Sequence, residues 1–431
     1  MPIDPHPANF YRSWLGNRTY RAVGTNFGAE ALPFQNWQKF KEAFTPEIIE
    51  KAASESERDV KRLFDPFGGS GTSALTAQFL GIEPITAEVN PYMADIIEAK
   101  LTHYDISALN VAVAEYKSEL ARNLTLLDLG KLEKTAFSLP RTFVEPGHQN
   151  RWIFSEDLAI YLLSAIAGTS RFSPEVSRLF RVLIGGLLVD VSNVRVSGKG
   201  RRYRTNWAGR QHTPSQAHEK ITRAFDKALV EIRLFNDRPE GGYELIRGDS
   251  REHAVKWPVD LVIFSPPYPN SFDYTDVYNV ELWMLGYLTS KEENNSLRQS
   301  TLSSHVQVSR DFNPPPSSSR TAVEVVRRLE AIGDQLWNRN LPAMVGSYFA
   351  DMETILKRSY DALIARGECW MVVGNSQYRG ISVPVGDGLV EIAEDIGFHL
   401  ISSTSTRSMR NAPQQGGQLT LDETLIILRK P

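Results

Sequence analysis

An α/β fold built around a strand–turn–helix–strand unit is what this sequence predicts, and three observations carry it. A short apolar stretch around Leu63 and Phe64 runs into a glycine-rich turn, Asp65-Pro66-Phe67-Gly68-Gly69-Ser70-Gly71-Thr72, which opens a helical segment over 73–80 that Gly81 ends. A second strand, Ile85-Thr86-Ala87, finishes in Glu88. Far downstream, the apolar run Val259-Asp260-Leu261-Val262-Ile263 reads as a buried strand and stops at Phe264-Ser265-Pro266-Pro267-Tyr268. Two consecutive prolines remove two backbone donors and fix two φ angles, so the strand must end there.

The remaining elements follow in chain order. Residues 1–60 are aromatic and polar, with Trp14, Trp37, Phe40 and Phe44, and form a segment placed to close over the site; Thr45 is the expected cap of a helix that starts at Pro46. Residues 61–100 and 241–431 carry the sheet. Between them, 101–240 is too long for a simple crossover. Its apolar spacing is helical, with Leu158, Tyr161, Leu162 and Ala165 on one segment and Ile221, Phe225, Leu229 and Ile232 on another. Within it the run 192–210 carries six cationic residues and no acid. Those cations, Arg195, Lys199, Arg201, Arg202, Arg204 and Arg210, form a loop suited to neutralising phosphates. Residues 286–320, ending in Pro314-Pro315-Pro316 and three serines, read as a mobile loop. A helix ending near Leu329, a second from Tyr348 to Ala365, and a buried strand around Val372 complete the chain.

The chemistry is in the two turns. Glycines permit positive φ and close backbone approach to a ligand, and a helix N-terminus offers free N–H groups. Many helices begin on such a turn. Here, however, Glu88 lies at the distance from Asp65 expected of an acid that holds ribose hydroxyls. The turn lacks the dinucleotide Gly-x-Gly-x-x-Gly pattern and the Gly-Lys-Ser/Thr ending of a P-loop, and no basic residue lies between Asp65 and Glu88. Asp65 would repel a phosphate but could hold a cationic amino acid. A nucleoside joined to an amino acid fits, namely S-adenosylmethionine. The second turn leaves a rigid rim of acceptors, Ser265 and Pro266, beside one ring, Tyr268. That set suits a planar group with an exocyclic amine, such as a flipped nucleobase.

These blocks resemble the motifs of the S-adenosylmethionine-dependent DNA amino-methyltransferases. Asp65 to Thr72 is similar to their cofactor motif and Ser265-Pro266-Pro267-Tyr268 to their catalytic motif. Glu88-Val89-Asn90-Pro91 resembles the second-strand motif. Gly248-Asp249-Ser250 resembles the third, whose acid faces the cofactor adenine. Gly374-Asn375-Ser376 and Glu423 to Leu428 resemble the closing strands. The resemblance covers residues 60–100 and 245–431, and more loosely the segment before 60. It implies a Rossmann-like methyltransferase sheet with a mainly helical insertion, the insertion being a candidate DNA-recognition subdomain. The cofactor is then held by Asp65, Pro66, Phe67, Gly69, Ser70, Gly71, Thr72, Glu88, Asn90, Asp249 and Ser250, with catalysis by Ser265, Pro266, Pro267 and Tyr268. Within the family Ser-Pro-Pro-Tyr is associated with N4 of cytosine. N6-adenine methylation is the nearest alternative, ahead of an RNA or protein-amide methyltransferase and of a non-catalytic DNA-binding module. Double-stranded DNA is the implied partner, with a cognate restriction endonuclease as a further candidate.

Composition agrees. The formal net charge of -3 requires any basic surface to be local. The lone cysteine, Cys369, rules out internal disulfides and a cysteine zinc cluster and suits a reducing cytoplasm. It lies in an apolar strand, so C5 methylation, which needs a cysteine nucleophile, finds no candidate. The histidines show no ligand-like spacing with acids and no metal is expected. The longest apolar run, Val182 to Val189, is too short to span a membrane, and the N-terminus does not read as a signal peptide.

Overall fold

The structure, a computed structural model, describes residues 7–16, 18, 28–40, 44–132, 138–197, 200–410 and 420–431. Its strands are β1 (Arg62–Asp65), β2 (Glu83–Glu88), β3 (Val194–Ser197), β4 (Gly200–Tyr203), β5 (Glu244–Arg247), β6 (Val259–Phe264), β7 (Leu363–Gly374), β8 (Ser376–Tyr378), β9 (Ile381–Val383), β10 (His399–Arg410) and β11 (Thr420–Arg429). Seven of them form one sheet in the order β10-β11-β7-β6-β1-β2-β5. The run β7-β6-β1-β2-β5 is parallel, while β11 pairs antiparallel with both β7 and β10. This is the expected α/β fold.

From β1 the chain works outward to β2 and β5, then returns to place β6 on the other side of β1. The order therefore reverses between β1 and β6, and such a reversal opens a crevice at the carboxyl ends of the strands, where α/β sheets bind ligands. The register pairs Leu63 with Leu261 and Phe64 with Val262. Both strands end at that crevice, β1 at Asp65 and β6 at Phe264, just before Ser265. β6 can lie there because it is apolar but for Asp260, and β1 because its inner residues Leu63 and Phe64 are apolar, as strands covered on both faces must be.

The insertion is mainly helical, as its spacing implies. Helices Ile106–Asp128, Glu156–Gly168, Pro174–Val191 and Pro214–Phe235 share one core with helices Thr72–Phe79 and Pro91–Leu101 of the sheet layer. The periodic residues Leu158, Tyr161, Leu162, Ala165, Ile221, Phe225 and Ile232 are all buried in it.

Four local expectations are corrected. The run 192–210 is a β-hairpin, β3 against β4, rather than a loop: Val194, Val196 and Tyr203 alternate with arginines and pack on the helical core. Residues 286–320 are ordered. Helix Lys291–Gln299 occupies part of the stretch, Leu302 to His305 are buried, and Pro315 packs on Gly346 while Ser319 caps helix Arg320–Glu330. Composition suggested mobility; tertiary packing overrides it. The helix read as 348–365 spans Leu341–Ala362, started by a proline in its first turn, and residues from Leu363 belong to β7. Finally, Pro46 rather than Thr45 occupies the cap of helix Glu47–Glu55, and Thr45 Oγ1 is buried without a partner.

Candidate active site

The glycine-rich turn is held by its own carboxylates. Asp65, only 2% exposed, accepts Phe67 N at 2.8 Å and the hydroxyl of Ser73. Glu88 accepts Gly69 N and Asn90 N, each at 2.7 Å. Burial pushes Asp65 up to about 6 and Glu88 up to about 7 against these hydrogen bonds, which favour the charged forms. Gly69 and Gly71 take φ of +51° and +80°, and Gly71 caps helix Thr72–Phe79. Asn90 accepts Tyr92 N at 3.0 Å and so caps the next helix. Ser70 is fixed from below: Lys100, fully buried, donates to its carbonyl at 2.6 Å and to Gln35 Oε1 at 2.9 Å. Burial lowers that ammonium to about 7. Sequence reasoning missed Lys100, whose signal was a lone lysine in an apolar helical run.

Beyond β5, Asp249 is engaged by Arg251, whose Nε lies 3.0 Å from both its carboxylate oxygens, and Arg251 bridges on to Asp351 at 2.7 Å. The acid expected to face adenine is therefore itself braced by a cation. Ser250 beside it is buried.

Beyond β6, Tyr268 donates its hydroxyl to Glu423 Oε1 at 3.0 Å and stands 3.3 Å from Ser265 Oγ. Burial, followed by the Glu423 charge, raises that phenol well above its ordinary range. Pro269 O accepts Tyr378 Oη at 2.8 Å, and Ser271 N donates to Ser304 O at 2.9 Å, which ties the loop down at both sides. Glu423 and His305, each 1% exposed, were not anticipated in the site. The sequence, in which the histidines show no ligand-like spacing, does not single out His305. It lies against the cavity with burial holding it at about 4, so it is neutral near pH 7.

Both motifs face one cavity of about 400 Å³. Asp65 to Ser70, Thr72, Glu88, Asn90, Asp249 and Ser250 line it on one side, and Ser265 to Tyr268 with Glu423 on the other. Of the expected cofactor residues, Gly71 alone does not reach the wall. Among the described lining residues there are four carboxylates and neither lysine nor arginine. Aromatic walls come from Phe40, stacked on Tyr278 with ring centroids 6.0 Å apart, and from Phe272 and Tyr274.

The basic residues divide. Arg195 and Arg202 face each other across the hairpin and are exposed, as is Arg210. Arg201 turns toward Asp276 at 4.0 Å, next to the cavity residues Tyr274 and Thr275, and its Nε and Nη1 are buried without partners. Arg204 donates to Ser192 O at 3.1 Å and Val189 O at 2.9 Å, which makes it a brace of the hairpin base rather than an open cation. Lys199 lies outside the described residues. Cys369 is buried in β7 and its thiol is pushed up by that burial. Among the described residues no group of histidine, cysteine and acids is placed to hold a metal ion, and no helix is long and apolar enough to cross a membrane.

No family model matches the chain. It is 26% identical to Type II methyltransferase M.BsoBI of Geobacillus stearothermophilus, over 92% of this chain and 85% of that one. It is 24% identical to Type II methyltransferase M.AvaI of Anabaena variabilis, over 93% and 87%. Among solved structures, TrmN from Thermus thermophilus overlays with a TM-score of 0.29 at 10% identity, over 90% of this chain and 49% of that one; the fold is assigned from the strand order and not from that likeness. Its two motifs are gathered on one cavity, and along nearly its whole length the chain is similar to these Type II methyltransferases.

Proposed function

We propose that the protein methylates the exocyclic amine of a base flipped out of double-stranded DNA at a specific sequence, with N4 of cytosine as the target. The observation that carries this reading is the placement of Ser265-Pro266-Pro267-Tyr268 across one cavity from the glycine-rich turn. The cavity's residues fit S-adenosylmethionine: an acidic lining, with neither lysine nor arginine among the described residues, suits a cationic nucleoside that carries no phosphate. In this reading Glu88 accepts the ribose hydroxyls, the turn from Asp65 to Thr72 holds the amino acid end, and Asp249 and Ser250 border the adenine. Held there, S-adenosylmethionine would supply an electrophilic methyl group, leaving as the neutral thioether while the methylated amine gives up one hydrogen as a proton.

The chain's own residues prepare the amine. The lone pair of an aromatic amine is delocalised into the ring and reacts poorly. Ser265 Oγ and the Pro266 carbonyl accept its two hydrogens, which draws the nitrogen toward sp³ and frees the lone pair. Tyr268 stacks on the base and holds it in line. Phe40 and Phe44, from the N-terminal segment, add apolar surface to the cavity wall. Orientation and preorganised dipoles supply most of the acceleration. An amine engaged in base pairing is out of reach, so the base must be extruded into the cavity.

Digesting methylated plasmid to nucleosides tests the proposal: N4-methylcytosine is expected. N6-methyladenine would transfer the same machinery to adenine, and the absence of any methylated nucleoside would overturn it.

The basic hairpin beside Tyr274 and Thr275 is the proposed phosphate contact, within an insertion proposed to recognise DNA. Because Arg204 braces the hairpin, the informative substitutions are Arg195→Gln, Arg202→Gln and Arg210→Gln. Together they weaken DNA binding on every sequence and reduce the slope of log affinity against log salt by about three, near one counterion per contact. An unchanged slope would leave the hairpin a solvated surface. The Type II names of the relatives support pairing with a cognate restriction endonuclease, and the reduced, buried Cys369 suits a cytoplasmic setting.

A further inference from the structure

We infer that Glu423 is a positioning residue that sets the direction of the Ser265 hydroxyl and so makes the site accept, rather than donate, hydrogen bonds toward the target amine. The inference rests on the proposed amine methylation and names how its selectivity is built.

The geometry is a chain of three side chains, two from the Ser-Pro-Pro-Tyr block and one from the distant strand β11. Tyr268 donates to Glu423 Oε1 at 3.0 Å. A phenol has one hydrogen, and this one is taken. The 3.3 Å contact between Tyr268 and Ser265 Oγ can then be a hydrogen bond only if Ser265 is the donor. With its hydrogen directed at the phenol oxygen, Ser265 Oγ has only lone pairs left for the cavity it lines.

That polarity matters because a hydroxyl is ambidextrous. Left to rotate, Ser265 would meet a ring nitrogen or a carbonyl as a donor as readily as it meets an amine as an acceptor. Fixed by Tyr268 and Glu423, it matches N–H groups and mismatches lone pairs, and a mismatched polar group in a dry cavity loses its hydrogen bond. Glu423 is well placed to impose this: it is nearly fully buried, and its strand β11 is clamped on both sides by β7 and β10, with Glu423 in register with Gly374. The same carboxylate also locks the Tyr268 ring at the wall of the cavity. Neither role is visible in the sequence, where 155 positions separate Glu423 from Tyr268.

The test is a double-mutant cycle of Tyr268→Phe and Glu423→Leu in the full-length protein, read by single-turnover methyl transfer to DNA and by calorimetry of S-adenosylmethionine binding. Each single change lowers kcat by roughly tenfold to a hundredfold, the scale of outer partners that orient a reacting group, and leaves cofactor affinity unchanged. The double variant is no slower than the slower single, because both changes break one relay. Glu423→Gln, which keeps an acceptor oxygen for the phenol, restores most of the rate. Losses that multiply in the double variant would overturn the relay. So would a wild-type kcat in Tyr268→Phe, a variant that deletes one atom, keeps the ring, and stays informative even if Glu423→Leu does not fold. A wild-type protein that methylates no base amine would instead defeat the functional reading itself, and the relay with it.

Discussion

Tyr268→Ala lowers methyl transfer by about a hundredfold or more while S-adenosylmethionine binds as before. Removing an aromatic platform from a stacked base costs roughly 1–3 kcal/mol, and each 1.4 kcal/mol is about tenfold. The substitution also deletes the hydroxyl that joins Ser265 to Glu423, so the loss exceeds that of stacking alone. Cofactor affinity is spared because the glycine-rich turn leaves a different strand and is held by Asp65, Glu88 and Lys100. DNA affinity falls less than the rate, since binding draws on phosphates and chemistry needs the base fixed in place. Single-turnover kinetics set beside equilibrium DNA binding separates the two. Full activity in Tyr268→Ala would refute the stacking mechanism.

Gly69→Val abolishes cofactor binding. Two independent costs act at this position. Its φ of +51° belongs to the left-handed region, where an L-residue pays roughly 1–2 kcal/mol and a β-branched one more. A Cβ here would also lie 3.0 Å from the Phe40 ring, so the ring must move from the wall of the cavity. Relief of either strain shifts the Gly69 amide that Glu88 accepts, and with it the acid proposed to hold the ribose. Calorimetry should show no binding of S-adenosylmethionine to a protein whose circular dichroism is unchanged. Wild-type affinity would remove the turn from the cofactor site.

The α/β class, the two turns and the chemistry proposed for them are legible in the residues alone. These are local signals: a glycine that must take positive φ, a proline pair that stops a strand, an acid at a fixed distance from a turn, an apolar period of two or of 3.6. The helical insertion was legible for the same reason, because Leu158, Tyr161, Leu162 and Ala165 need one another only within a single helix. Errors arose where local composition was outweighed by packing. The proline- and serine-rich stretch after Ser300 is buried by its neighbours, and the basic run folds back as a hairpin because Val194, Val196 and Tyr203 find a core. The way the site is finished depends on tertiary contacts. Lys100 under the glycine-rich turn, Arg251 on Asp249, His305 in the wall, Arg204 turned inward and Glu423 behind Tyr268 are all unremarkable letters in sequence. Most of these contacts span tens to hundreds of residues, as between Glu423 and Tyr268, Lys100 and Ser70, and Arg251 and Asp351, and form only once the sheet is assembled. A buried charge or hydroxyl takes its role from the partner that satisfies it, and that partner is chosen by the fold.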